Sequence, residues 1–459
     1  MLTLALLIAA GGASNAWALL DARAIHGSNR VLSEAMANYA ELKLVASDAA
    51  AGDDFGYSVA IDGNTVVIGA TGAGTGGAVY VLRTTDGGAT YVEVAKLTAS
   101  DGAAYDGFGR SVSIDGDTIV VGAYADNIDG GDGGSYDNGQ GSAYVYRTSD
   151  GGATYVEVAK LTAADAAQND QFGESVAIDG GTIVVGAYGK DSSTGAVYVY
   201  RTTDGWGTYT EIKLTAADAA AGDWFGIFVA IDGDTIVVGA SSAGTTGGAA
   251  YVFRTSDGGD TYDQVDELTP DDALYGQDYF GKHVAIDSGT IVVGASGKYE
   301  YPTTPFKSGV AYVFKIPDGG ATYEQVAKLT ASDAMESAFF GHSVAIEGDT
   351  VVVGAYYDGP TSSGSAYVFR TTDGGAAYGQ VAKLTSADAA ARYDSFGYSV
   401  AIAGDTVVSG SFIGAAFVFS PLAPAVPQPT PAALESDSAT RAGTLATVLG
   451  VVAATALAL

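Results

Sequence analysis

The chain has 459 residues, a formal net charge of −32, a pI near 4.1 and no cysteine. Such an acidic balance excludes electrostatic attraction to nucleic acid or anionic lipid headgroups. With no disulfides available, stability has to come from burial.

An apolar run from Leu2 to Ala10, followed by Ala16-Trp17-Ala18, reads as a secretory signal over residues 1–18. Residues 19–38 form a leader or short surface helix. Tyr39-Ala40-Glu41-Leu42-Lys43-Leu44 then has the pattern of Tyr209-Thr210-Glu211-Ile212-Lys213-Leu214, which lies late in a repeating unit. The units begin with Phe-Gly at Phe55, Phe108, Phe172, Phe225, Phe280, Phe340 and Phe396. Each carries a Phe-Gly strand, a Val-Val-Gly-Ala strand, a Tyr-Val-Tyr or Tyr-Val-Phe strand and a Lys-Leu-Thr strand. A repeat of this length fixes the architecture by itself.

Period-two alternation in Phe55-Gly56-Tyr57-Ser58-Val59-Ala60-Ile61 predicts a strand. Asp62-Gly63-Asn64 suits the tight hairpin that follows. Runs such as Ile119-Val120-Val121 suit strands covered on both faces. The expected fold is all-β, a seven-bladed propeller of four-stranded antiparallel blades over residues 39–420. The seventh unit stops after Phe417-Val418-Phe419, one strand short, and residues 39–44 supply the missing strand and close the ring.

Residues 421–441 are a proline-rich linker, with five of the ten prolines between Pro421 and Pro431. Residues 442–459 are uncharged and apolar, short for a membrane crossing and followed by no Lys or Arg. A GPI-attachment signal is the preferred reading, and a single membrane span the alternative.

The Phe-Gly and Gly-Ala positions resemble those of the FG-GAP repeat family, the propeller units of integrin alpha chains and many secreted proteins. That resemblance covers residues 39–420. It implies calcium loops between strands one and two in some units. Connections as short as Asp115-Gly116-Asp117 cannot wrap an ion, so no metal site is carried over. Ser149-Asp150-Gly151-Gly152-Ala153-Thr154-Tyr155 and its relatives at Asp86, Asp204, Asp257, Asp318 and Asp373 are similar to the Asp-box of sialidases, a structural hairpin. Arg83, Arg147, Arg201, Arg254 and Arg370 share one repeat position, so they point outward around the ring and cannot converge on a substrate. No enzyme is expected.

Asp53, Asp106, Asp170, Asp223, Asp278 and Asp394 precede Phe by two residues, and a second set, from Asp48 to Asp388, lies earlier in each unit. Their regularity assigns both sets a structural role, accepting backbone N–H groups between blades, over a series of cation sites. His283 and His342 fall at different slots and give no metal-ligand cluster.

Function is expected where the units differ. Candidate ligand-binding residues are Tyr124, Asp126, Asp129, Asp132, Tyr136 and Asp137 in the blade-two insertion, and Lys298, Tyr299, Tyr301 and Phe306 in blade five. Trp224 in blade four and Tyr356 and Tyr357 in blade six complete the set. No cofactor is expected; weak calcium binding by the blade-two loop is the one exception kept open. The reading that emerges is an extracellular, C-terminally anchored, monomeric binding module for a protein or glycan. It involves no nucleic acid, and membrane only through the tail. The alternatives are a structural or coat component and, third, a sialidase-like or polysaccharide-acting enzyme.

Overall fold

The computed structural model describes residues 39–127, 139–244, 247–272, 278–298, 308–317, 320, 322–359, 361–387, 394–411 and 414–422. The expected signal, leader, linker beyond Leu422 and apolar tail lie outside them. Among the described residues no helix is long and apolar enough to cross a membrane.

Seven four-stranded antiparallel sheets are present, one for each Phe-Gly unit. Blade one consists of β2 (Phe55–Asp62), β3 (Thr65–Ala70), β4 (Ala78–Arg83) and β5 (Val92–Leu97), hydrogen-bonded in that order. The first strand of each blade lines a central cavity, and the fourth lies at the rim, where Val92 is 64% exposed. Strands two and three are buried almost throughout, as their unbroken apolar runs predict.

Blade seven departs from chain order as anticipated. Its sheet is β1 (Tyr39–Leu44), β28 (Ala415–Pro421), β27 (Thr406–Ser411) and β26 (Ser399–Ala403). Leu42 stands opposite Val418 and Leu44 opposite Ala416. Glu41 also makes the contact that an outer-strand acid or amide makes elsewhere. It accepts the Ala387 N–H at 3.0 Å, as Glu93 accepts Ser47 N–H at 2.9 Å and Gln264 accepts Ala217 N–H at 2.9 Å.

The core is divided into seven layers, each between neighbouring blades. In one, Val66, Ile68 and Tyr80 of blade one pack with Val408 and Val418 of blade seven and with Leu44. Residue parity in β3 sends Val66 and Ile68 to that layer and Val67 to the layer shared with blade two. The motif phenylalanines meet strand-three aromatics edge-on, Phe55 against Tyr80 at 5.3 Å and Phe396 against Phe419 at 5.6 Å.

The two motif glycines exist because blade backbones touch. A Cβ on Gly69 would come well inside 3.0 Å of the Gly109 carbonyl oxygen, and the same relation recurs around the ring to Gly410 against Gly56. Gly56 itself has φ near +100°, a conformation open only to glycine.

Candidate functional site

The loop entering each blade ends in one residue with a left-handed backbone just before the motif phenylalanine. These are Asp54, Gly107, Gln171, Trp224, Tyr279, Phe339 and Ser395, with φ between 54° and 69°. Six are not glycine, and each costs about 1 kcal/mol of strain. The carbonyl of each accepts the N–H three residues on, as in Tyr57 to Asp54 and Lys282 to Tyr279. This turn sets the residue after Phe-Gly at the cavity wall. Those residues are Tyr57, Arg110, Glu174, Ile227, Lys282, His342 and Tyr398, a different side chain in almost every blade.

The cavity they line has a volume of about 530 Å³, within the range of small-molecule sites. Much of its wall is linked by side-chain contacts. The Tyr398 hydroxyl donates to that of Tyr57 at 3.1 Å, and the Arg110 guanidinium lies 4.8 Å over the Tyr57 ring. Arg110 forms a two-pronged ion pair with Glu174, the closest contact at 2.6 Å. Across the cavity Phe228 packs on His283 at 3.6 Å, His283 on His342 at 5.1 Å, and His342 on Tyr398 at 4.9 Å.

Burial opposes the Arg110 charge, but Glu174 outweighs it and holds the guanidinium above its ordinary value. Burial, with the Arg110 charge second, pushes Lys282 down. Burial drives His283 and His342 well below the usual imidazole range, with nearby cations adding to it, so both are neutral at pH 7. The His342 Nδ1 is buried without a protein hydrogen-bond partner among the described residues. The two histidines meet although their slots differ, because adjacent blades bring the slots together.

Four of the residues singled out from the sequence sit around this cavity's mouth. Tyr124 covers the other face of Arg110 at 4.9 Å. Tyr356 lies 4.4 Å from His342, with Tyr357 at 4.3 Å beyond it and 38% exposed. Trp224 is 37% exposed and contacts Tyr188 edge-on at 6.0 Å. Asp126 and Lys298 do not reach the mouth. Asp126 is buried against Lys160 at 2.7 Å and the Ser142 hydroxyl, and Lys298 is buried against Asp278 at 3.2 Å. Asp129, Asp132, Tyr136, Asp137, Tyr299, Tyr301 and Phe306 lie outside the described residues, as does most of the loop raised for calcium.

Sequence reasoning passed over the wall residues themselves, from Tyr57 through Glu174 and Lys282 to Tyr398. Their signal was legible: one position changes identity between blades inside a strand whose other positions barely change.

The regularly repeated charges have other work. Asp53, Asp106, Asp170 and Asp223 each accept a backbone N–H from the loop before their phenylalanine, at 2.6–2.8 Å. The earlier set departs from the expectation of backbone partners. Asp48 accepts the Tyr80 hydroxyl at 2.7 Å and pairs with Lys96 at 2.6 Å, and Asp101, Asp165, Asp272 and Asp333 repeat that Tyr–Asp–Lys arrangement. In the Asp-box hairpins Asp86 accepts the Thr84 and Thr90 hydroxyls, and these bonds hold its carboxyl down at about 2. Arg83 donates to the Gly151 carbonyl in the next blade's hairpin, and Arg370 pairs with Asp405 of blade seven, which keeps this row at the blade junctions. Among the described residues no group of three metal-ligating side chains is present.

No curated protein matches the chain. The family model described as the FG-GAP repeat matches residues 40–82, 91–146, 155–200, 209–253, 262–314, 323–369 and 378–419. Each match opens in an outermost strand and runs through the three strands of the following unit, and the first opens in β1. Seven matched repeats forming seven blades place the chain in the FG-GAP repeat family.

Proposed function

We propose that the chain is an extracellular, surface-displayed binding module that receives a protein or glycan partner at the face around the cavity mouth. The observation that carries this reading is that the side chains differing between otherwise like blades gather around one cavity. Aromatic groups at the mouth, Trp224, Tyr356 and Tyr357, add contact area at low entropic cost. The wall itself speaks for binding over catalysis: its carboxylate is committed to Arg110 and its imidazoles are neutral and packed against each other at a tilt. Secretion and tail anchoring belong to the same proposal and rest on the apolar runs at the two ends of the sequence.

A glycan array and a pull-down with the full chain test it, beside Trp224→Ala and Tyr356→Ala and the opposite-end variant Asp62→Ala. A partner lost only in the first two variants supports the reading. A partner lost only in Asp62→Ala overturns the choice of face, and no partner at high protein concentration favours a coat component.

A further inference from the structure

The repeat supplies a carboxylate to its two buried lysines. Lys190, 4% exposed, is paired with Asp170 at 2.8 Å, and Lys298, 3% exposed, with Asp278 at 3.2 Å. Rim lysines are served as well, Lys96 by Asp48 and Lys328 by Asp272. Lys282 is the contrast. It is half-buried at the wall of the central cavity, among the described residues no carboxylate lies within ion-pair distance of its ammonium, and the Tyr279 ring lies 5.9 Å away. The cavity's own acid, Glu174, is engaged on both oxygens by Arg110. With both histidines neutral, the wall carries two cations and one anion, a positive island in a chain of net charge −32.

A half-buried ammonium with no carboxylate at ion-pair distance is partly desolvated at a cost, and a bound anion offsets that cost. The rest of the wall indicates what the anion is attached to. Tyr57, Tyr398, Phe228 and the two histidines line the cavity with flat rings that also pack on one another, while serine hydroxyls such as Ser58 and Ser343 are already committed to the next blade's carbonyl at 2.8 and 2.9 Å. Flat faces beside a single cation suit a ring that bears one acid group, and about 530 Å³ admits a group of that size.

Resting on the binding reading above, we propose that the central cavity takes an acidic sugar, its carboxylate or sulfate at Lys282 and its pyranose ring against the tyrosine and histidine faces.

The test is calorimetric titration of the full chain with glucuronic acid, glucose, glucose 6-sulfate, acetate and a short glutamate peptide. Binding of either acidic sugar at least tenfold tighter than glucose and acetate supports the proposal, and the ratio of the two assigns the anion. Lys282→Met is expected to cut that binding at least tenfold while melting no lower than the parent, since it removes a half-buried charge that has no carboxylate at ion-pair distance among the described residues. Lys282→Arg should retain part of it. Should Lys282→Met fail to fold, the salt dependence of acidic-sugar binding to the parent decides: no weakening between 50 and 500 mM salt counts against a charge contact. Glucose binding as tightly as glucuronic acid, or no sugar binding, overturns the proposal and leaves the mouth-face reading standing if Trp224→Ala still loses its partner. Tight binding of the peptide alone overturns the sugar and assigns an acidic protein segment instead.

Discussion

Replacing Gly410 by alanine tests whether the ring closes between the two ends of the described chain. Gly410 lies on the second strand of blade seven, and a Cβ there would come well inside 3.0 Å of the Gly56 carbonyl oxygen in blade one, with the Ser399 hydroxyl as close. Neither neighbour is the free end of a flexible side chain. Gly56 is held by its own strand, and the Ser399 hydroxyl donates to the same carbonyl at 3.0 Å. Overpacking that cannot relax costs about 3 kcal/mol. Unfolding entropy of about 2.1 cal/mol/K per residue, over roughly 380 residues, makes that a fall of about 4 °C in Tm. Gly239→Ala meets the Gly281 carbonyl in the same way at an internal junction, whereas Gly379→Ala on an outer strand meets nothing within 4 Å. Differential scanning calorimetry should show equal losses for Gly410→Ala and Gly239→Ala and no loss for Gly379→Ala. A Gly410→Ala protein that melts like the parent while Gly239→Ala falls would refute the closed ring.

Three further outcomes are expected. Deleting residues 39–46 strips blade seven of its fourth strand and exposes the edge of β28; calorimetry and light scattering should show a lower Tm and self-association, and an unchanged melt would contradict the pairing. Asp106 is pushed up to about 6, by burial first and with Asp126 adding, so its folded value exceeds its unfolded one. Its ionisation therefore lowers stability as pH rises from about 4 to 6. Asp106→Asn, which can still accept the Ala103 N–H, should gain on the order of 1 kcal/mol at pH 7 after solvent screening, and urea midpoints should show that gain vanishing near pH 4. His283 and His342 are held neutral in the fold, so the unfolded chain binds more protons below about pH 6.5. Stability should fall on acidification from there, by up to about 1.4 kcal/mol per pH unit for each ring. A His283→Gln/His342→Asn double variant should remove that slope in urea titrations at pH 5 and 7.

Blade number, strand order and closure were legible because they depend on backbone pattern, and the repeat states that pattern seven times. Tyr39-Ala40-Glu41-Leu42-Lys43-Leu44 carried even the seam, since Glu41 sits where an outer-strand acid meets the next blade. The site was less legible because a loop insertion attracts attention more readily than a single changed residue. Tyr124 and Tyr356 were found as insertion residues, yet each reports on a wall residue beneath it, Arg110 and His342. Asp126 and Lys298 misled for the opposite reason: both lie in long connections, where charge usually means solvent, but a neighbouring segment covers them.

That neighbouring segment follows a rule that accounts for both groups. The carbonyl of the residue two before each motif phenylalanine accepts an N–H from the loop after Gly-Ala in six blades, as Gly72 donates to Asp53 and Tyr357 to Ala338. The residue three after Gly-Ala is thereby brought beside it. Blades three and five place Lys190 and Lys298 against Asp170 and Asp278. Blades one and four place Ala73 and Ala243 beside Asp53 and Asp223. Blade six inverts the arrangement, with Ala338 in the aspartate's place and Asp358 opposite, held by Lys383 at 2.7 Å. Only blade two sets aspartate beside aspartate, and Asp106 is the member whose carboxyl is pushed up. The two buried lysines of these slots are thus each met by an acid of their own blade, because a low-dielectric layer cannot borrow a counter-ion from elsewhere. The wall of the central cavity is built from strands of the same blades and meets the same physics, but there Arg110 is paired with Glu174 while Lys282 has no carboxylate at ion-pair distance among the described residues. A fold that supplies its buried lysines with an acid leaves this half-buried one facing a space of ligand size, and that contrast is the ground on which an anion from outside is proposed for the cavity.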